Sequence, residues 1–426
     1  SNIGTWMHDV GAGWLMTSLS PSPLMVALVQ VATTLPIFLF VMPAGVLADI
    51  LDRRRFLMAA QLVIMVAAFS LSGLTVANLI TSWSLLGLTF ALGVGTAMIA
   101  PTLQAVVFEL VTEEDLPAAV ALNSLAFNVS RAIGPALGGS VISLLGTPVV
   151  FLLNGFLALA VITVLYRWRR APQPGRLPAE HFMPALRTGI RYVAQAPIMQ
   201  AVLVRAVAFF TFASALWALL PLVARQELGL NATEYGLLLA FIGLGAVAGA
   251  VLLPRVRWVL SADASVVLAT LLFALALFGL AAAPGLAWAA AATALAGVGW
   301  ITVLSSLAVG AQSASAGWVK ARALAMYLMV FFGAMALGST AWGFVAGRIG
   351  LDATLVVAAA GLIIASASAI RFRLAAAAGL DLAPSMHWPA PQVAEEIAHD
   401  RGPVMVTVEY RVDPARSQSF VKAMYA

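Results

Sequence analysis

The segment TFALGVG (Thr89–Gly95) returns 204 residues later as TALAGVG (Thr293–Gly299). Working outward at the same offset, Gly45 aligns with Gly249, Gly93 with Gly297 and Gly95 with Gly299. Gly134 aligns with Gly338, Gly139 with Gly343 and Gly146 with Gly350, all without a gap. The first 168 residues hold thirteen glycines, of which a random register would align roughly one. The chain therefore reads as a duplication. Two copies of one membrane unit joined by a linker are how alternating-access transporters are built, so transport rather than catalysis is the first expectation.

Composition supports a membrane solvent. The chain is 62% hydrophobic and 10% charged, against roughly 25% charged for a soluble domain. Its apolar runs repeatedly reach about 20 residues, enough to cross a bilayer as helix. Strand barrels need alternating segments of about ten residues, and these runs do not alternate. The expected class is an all-α membrane protein of twelve spans in two pseudo-symmetric six-helix bundles. With no cysteine in the sequence, disulfides and thiolate metal sites are excluded. The net charge of +5 sits in loops beside the membrane, so it argues for lipid as a partner and not for nucleic acid.

Apolar runs and breakers place the spans near 1–18, 24–49, 56–77, 82–108, 118–145 and 148–167, then 199–224, 233–254, 264–283, 286–311, 323–348 and 353–372. The opening run, Ile3–Ser18, is short and reads as the remainder of a first helix; the charged front of a signal peptide is missing. The domains expected are a bundle over 1–167, a linker over 168–198, a bundle over 199–373, a tether over 374–403 and the start of a small α+β piece over 404–426. In that last piece PVMVTVEYRV (Pro403–Val412) alternates like a strand. It resembles the opening of ferredoxin-like domains related to antibiotic-biosynthesis monooxygenases.

Arginines set the orientation. Arg53–Arg55, the linker arginines, Arg255, Arg257, Lys320, Arg322, Arg371 and Arg373 all fall on alternate loops, whereas the other loops offer Arg225 and Arg348. The positive-inside bias then puts the linker and both termini in the cytoplasm of a bacterial-type inner membrane. Within the linker, Arg187 and Arg191 stand at i, i+4 on an amphipathic segment suited to an anionic lipid surface.

Two motifs carry mechanism. GVLADILDRRR (Gly45–Arg55) follows the second span and resembles the loop motif of the major facilitator superfamily. The resemblance implies a cytoplasmic gate: Gly45 for close approach, Asp49 for a helix N-terminus or an arginine of the other half, Arg53 and Arg54 to complete the charge network. Ile50 and Asp52 stand where the family has a basic residue and glycine. A plain stop signal explains the arginines but not Asp49. NVSRAIGPALGG (Asn128–Gly139) in the fifth span resembles the antiporter motif of drug-efflux members, with Gly134, Gly138 and Gly139 for close packing and Pro135 for a bend. Ordinary small-residue packing is the alternative.

Charges at membrane depth by default mark pathways or proton relays. Asp9 in the first span and Arg131 in the fifth are the candidates for proton coupling, with a static ion pair as the alternative. His8 adjoins Asp9 but points about 100° away on a helix. Trp6, Asn128, Phe209, Trp217 and Trp300 are cavity candidates, with Trp14 and Phe210 beside them. Arg205 is expected to snorkel to the headgroups. The sequence lacks the phosphate-cradling loop of ATP-driven transport, and no cofactor is implied.

SNIGTWM (Ser1–Met7) and LPAAVALNSLAFNVSRAIGPALGG (Leu116–Gly139) look like the branch that holds enterobactin-type exporters and drug-efflux permeases. That likeness implies a monomeric, proton-coupled exporter of a small, partly apolar compound. A proton-independent uniporter or importer, and a membrane anchor for the C-terminal piece, remain the alternatives.

Overall fold

The computed structural model describes residues 2–110, 115–168, 190–191, 193–315, 320–374, 417–418 and 420. For some residues at the arginine-rich ends of α2, α4, α5 and α11, Asp49 among them, the backbone alone is described. Every described element is helical. The first bundle comprises α1 (Asn2–Leu19), α2 (Pro23–Ile50), α3 (Arg53–Val76), α4 (Ser82–Leu110), α5 (Leu116–Leu145) and α6 (Thr147–Arg167). The second comprises α7 (Pro197–Leu222), α8 (Ala232–Val259), α9 (Ala262–Ala281), α10 (Leu286–Ser313), α11 (Lys320–Ile349) and α12 (Leu351–Ser366), followed by the short α13 (Ser368–Arg371). Ten of these helices are long and apolar enough to cross a membrane.

Local chemistry explains the helix ends. Proline opens α2, α5, α6 and α7, where its missing N–H has no helical partner in any case. Asn231 and Glu234 form a reciprocal capping box on α8. Asp52, which departs from the family's loop motif, has a local role: its carboxylate accepts the Arg55 backbone N–H at 2.8 Å and caps α3. The turn after α7 widens into a π-helix over Val223–Glu227, which carries Arg225 toward α1.

The duplication is visible in three dimensions. Gly146 and Gly350, one repeat apart, break α5 from α6 and α11 from α12 with φ of +88° and +86°. Only a residue without Cβ adopts that conformation cheaply. Gly93 packs on α2 and Gly297 on α8; Gly95 packs on α3 and Gly299 on α9. Gly134 packs on α1 and Gly338 on α7, while Gly139 meets the start of α8 and Gly343 the start of α2. Gly45 and Gly249 break the pattern. Gly249 lies against Val298 and Ile301, whereas Gly45 has no neighbour within 4 Å of the place a Cβ would take. The close approach expected at Gly45 is not made.

Arg205 does not snorkel. It is 4% exposed, and its guanidinium pairs with Asp263 at the start of α9. The same carboxylate oxygen also fixes the end of the bundle: Leu374 donates its backbone N–H to Asp263 Oδ1 at 2.9 Å. The amphipathic linker over Arg187 and the strand over Pro403–Val412 lie outside the described residues. Residues 1–382 and 383–426 form separate compact units; in the second, Ser417, Gln418 and Phe420 are the described residues, all helical.

Candidate functional site

The two bundles meet along two helix pairs, α5 with α8 and α2 with α11. At the arginine-poor end, Ser143 Oγ accepts from the Thr233 backbone N–H at 3.1 Å and lies 2.9 Å from the Thr233 hydroxyl. One turn deeper, a Cβ on Gly236 would stand 3.0 Å from the Cα of Gly139 and 2.5 Å from the carbonyl of Pro135. Deeper still, a Cβ on Gly243 would meet the Cα of Ala132 at 2.9 Å. The ten residues from Thr233 to Gly243 span about 15 Å of helix. The second seam repeats this. Gly343 sits on Leu24 and Ala27, and Gly333 on Phe38, again about 15 Å apart along α11. Each seam thus seals about half of a hydrocarbon core some 30 Å thick.

Aromatic and basic groups plug the gap between the seams. Arg225 donates to the Thr17 hydroxyl at 2.9 Å and lies over the Trp14 ring at 5.2 Å. Trp14 in turn stacks on Tyr235 of α8, with ring centroids 5.7 Å apart. Trp14, a cavity candidate from the sequence, therefore belongs to the seal. Arg54 is used within its own bundle: it donates to the carbonyls of Leu165 and Tyr166 at 2.7 and 2.5 Å, closing the end of α6. Arg53 opens α3 beside it, and the side chain of Asp49 lies outside the described residues.

The motif in α5 divides its glycines between two neighbours. Gly134 and Gly138 face Trp6 and Met7 of α1, while Gly139 faces Ala232 and Gly236 of α8. Asp9 lies one helical turn below Gly13, whose Cα face is covered by the Tyr235 hydroxyl and Pro221. Asp9, four residues before Gly13, shares with it the face of α1 that Tyr235 covers. Asp9 and Arg131 do not form an ion pair, which removes the static pair between them. His8 points the other way, buried at 5.3 Å from the Phe151 ring of α6; neither ring nitrogen has a hydrogen-bond partner among the described residues.

Beneath the seams lies a narrow crevice, lined by Trp6, Arg131 and Pro135 of the first bundle and Trp217, Leu239, Ile242, Gly243 and Trp300 of the second. Three of the five cavity candidates meet here, with Arg131. Trp217 and Trp300 pack edge to face at 5.3 Å, and Phe210 lies behind Trp300 at 5.3 Å. Phe209 is buried behind Trp300 and faces a second cleft beside Arg205. Asn128 stands just under one turn from Arg131 on the arginine-rich side and is not among the residues that line the crevice. Tyr235, Arg225 and Gly236 were not singled out from the sequence. The one signal for them was the spacing of Gly236 and Gly243, two turns apart on one face of α8.

Two repeated bundles, a seam sealed from one end and a crevice at its foot define a transporter of the major facilitator type, a multi-pass membrane protein and not an enzyme. A sequence profile of the transmembrane secretion effector family matches residues 1–426, and the chain belongs to that family. Among relatives, the staphyloferrin A transporter of Staphylococcus aureus (strain NCTC 8325 / PS 47) is 22% identical over 65% of this chain and 70% of its own length. The enterobactin exporter EntS of Shigella flexneri is 30% identical over 63% of each chain. The match therefore spans somewhat under two thirds of the exporter. Solved structures share the fold: a bacterial homologue of the human lysosomal transporter Spinster, in an inward-facing and occupied conformation, gives a TM-score of 0.70 at 15% identity over 87% of this chain and 93% of that one. The nucleoside transporter NupG gives 0.67 at 12% identity over 87% and 97%.

Proposed function

We propose that the protein is a proton-coupled exporter of small, partly apolar compounds such as drugs or siderophores, working as a monomer with twelve spans by alternating access. The arginine-rich end, with both termini, faces the cytoplasm of a bacterial inner membrane. Closure at the arginine-poor end carries this reading: the seams of α5 with α8 and of α2 with α11 seal that half and end at the crevice. On this reading cargo enters from the cytoplasmic side. Relatives named for staphyloferrin A and enterobactin support siderophores as the cargo class.

Asp9 supplies the coupling. It stands one turn below Gly13, on the face of α1 that Tyr235 covers, and without an ion pair. A bare carboxylate in a dry seam works against closure, because its hydration is lost without a counterion. Loading a proton from outside lets the seal form; releasing it inward, when cargo is bound, lets the outer half open. The test uses inside-out vesicles carrying the protein, a pH-sensitive dye and an imposed proton gradient. Compound-dependent proton release that disappears in Asp9→Asn is the expected result. Transport that proceeds without proton movement would replace the antiporter by a uniporter or importer of the same fold, and binding without transport would favour a membrane anchor.

A further inference from the structure

We infer that Arg225 is an electrostatic plug, a fixed positive charge over the closed outer half that keeps protons and other small cations from leaking inward toward Asp9. The inference rests on the exporter reading, which makes the arginine-poor end the outer one. Between the two seams the closure is made by side chains rather than by backbone. Trp14 stacks on Tyr235, and the Tyr235 hydroxyl and Pro221 cover Gly13. Thr17, Gly13 and Asp9 follow one another at four-residue steps along α1, so Asp9 lies about 12 Å of helix beneath Thr17. An acid that takes its proton only when the outer half is open needs a barrier over that distance when it is shut.

Arg225 caps this column. It donates to the Thr17 hydroxyl at 2.9 Å and lies 5.2 Å from the centre of the Trp14 ring. A hydroxyl and a π-face hold a guanidinium without cancelling its charge. The groups around it leave that charge standing. From α1 come Thr17 and Trp14; α8 offers Tyr235, with Glu234 drawn back into its capping box. Glu227, on the same turn, is exposed to solvent and makes no ion pair among the described residues. The placement is built by a π-turn, Val223–Glu227, in which Leu228 donates to the Val223 carbonyl at 3.0 Å and Gly229 follows with φ of +61°. Such turns are rare and gather at functional sites. The duplication has no counterpart, since the position 204 residues earlier is Pro21. Arg348, at the same end of the molecule, lies over Phe344 of its own helix. A unit charge about 12 Å away disfavours a proton near Asp9 about tenfold at the permittivity effective near a protein surface. Arg225 rides on the second bundle and Asp9 on the first, so opening the outer half carries the charge away from the path of the acid.

The test is proton leak without cargo. The full chain is reconstituted in proteoliposomes holding a pH-sensitive dye, and a potassium diffusion potential drives protons inward. At low salt, Arg225→Gln should leak about tenfold faster than the wild type. Arg225→Lys keeps the charge and loses the planar guanidinium, and should stay within about twofold of the wild type. In about 1 M salt, where the Debye length is about 3 Å, the ratio of Arg225→Gln to wild type should fall to about one. Labelling of Ser143→Cys by an impermeant thiol reagent should run at the same rate with Arg225→Gln as without it, because the seal itself stays shut. A leak unchanged by Arg225→Gln, an equal leak in Arg225→Lys, a ratio that persists in 1 M salt, or faster labelling at Ser143→Cys would each overturn the inference. The exporter reading fails separately. A charge-dependent leak with no compound-dependent proton movement refutes the exporter and keeps the plug. Compound-dependent proton movement with a leak indifferent to Arg225 refutes the plug and keeps the exporter.

Discussion

The two bundles are copies in backbone and opposites in charge. In the second, the buried cation Arg205 is matched by Asp263, and that carboxylate also holds the N–H of Leu374. In the first, Arg131 and Asp9 stand at membrane depth with no ion pair. The bundles even close their last helices by opposite means: Arg54, at the start of α3, takes the carbonyls that end α6, while Asp263, at the start of α9, takes an N–H beyond α12. At membrane depth, then, the second copy pairs its buried cation, while the first leaves Asp9 and Arg131 without an ion pair.

The comparison breaks most severely at Arg205. Arg205→Ala leaves Asp263 without its cation and should cost about 3 kcal/mol, read as a lower midpoint of thermal unfolding in detergent. Replacing both residues by leucine should recover most of the loss, since the uncompensated charge is gone. Arg131→Gln, on this account, leaves the midpoint nearly unchanged; an equal loss there would erase the distinction between the bundles. A smaller effect comes from the seam. Gly139→Val inserts methyl groups against Ala232 and Gly236 and should cost roughly 1–3 kcal/mol of closed-state stability. Its measure is access: a cysteine placed at Ser143, in a chain that has none of its own, should react faster with an impermeant thiol reagent from the arginine-poor side. Unchanged reactivity would mean that this seam does not form the seal.

The smallest expected effect is at Arg54. Arg54→Gln removes charge-assisted bonds to two carbonyls at the partly exposed end of α6 and should lower stability by about 1 kcal/mol. Transport that falls sharply with no change in unfolding would instead restore Arg54 to a gate between the bundles.

Much of the fold was legible because its signals are local. Apolar runs of membrane length, glycine breaks and proline starts placed the helices within a few residues; the largest offset, six residues, fell at the end of α12 (Ser366 against an expected 372), where the short α13 follows. The crevice was legible in part, since Trp6, Trp217, Trp300 and Arg131 are chemically conspicuous. Rotation about the helix axis was not legible. Phe209 and Phe210 are neighbours in a helix apolar all round, and nothing in such a sequence says which face looks inward. Arg205 was misread for a related reason: its partner, Asp263, lies 58 residues away at a helix start that looks like a solvated loop. Tyr235 was missed because one phenol in an apolar helix resembles an interfacial anchor until Trp14 and Gly13 are seen opposite it.

Each bundle ties its own third helix to the end of its own sixth, and the bundles meet along seams of small residues. The contact between them is thus built like the interface of a dimer, with the linker serving to keep two partners at high effective concentration. Expressed as separate polypeptides in one membrane, the six-helix pieces are expected to associate along these seams as the halves of a dimer would.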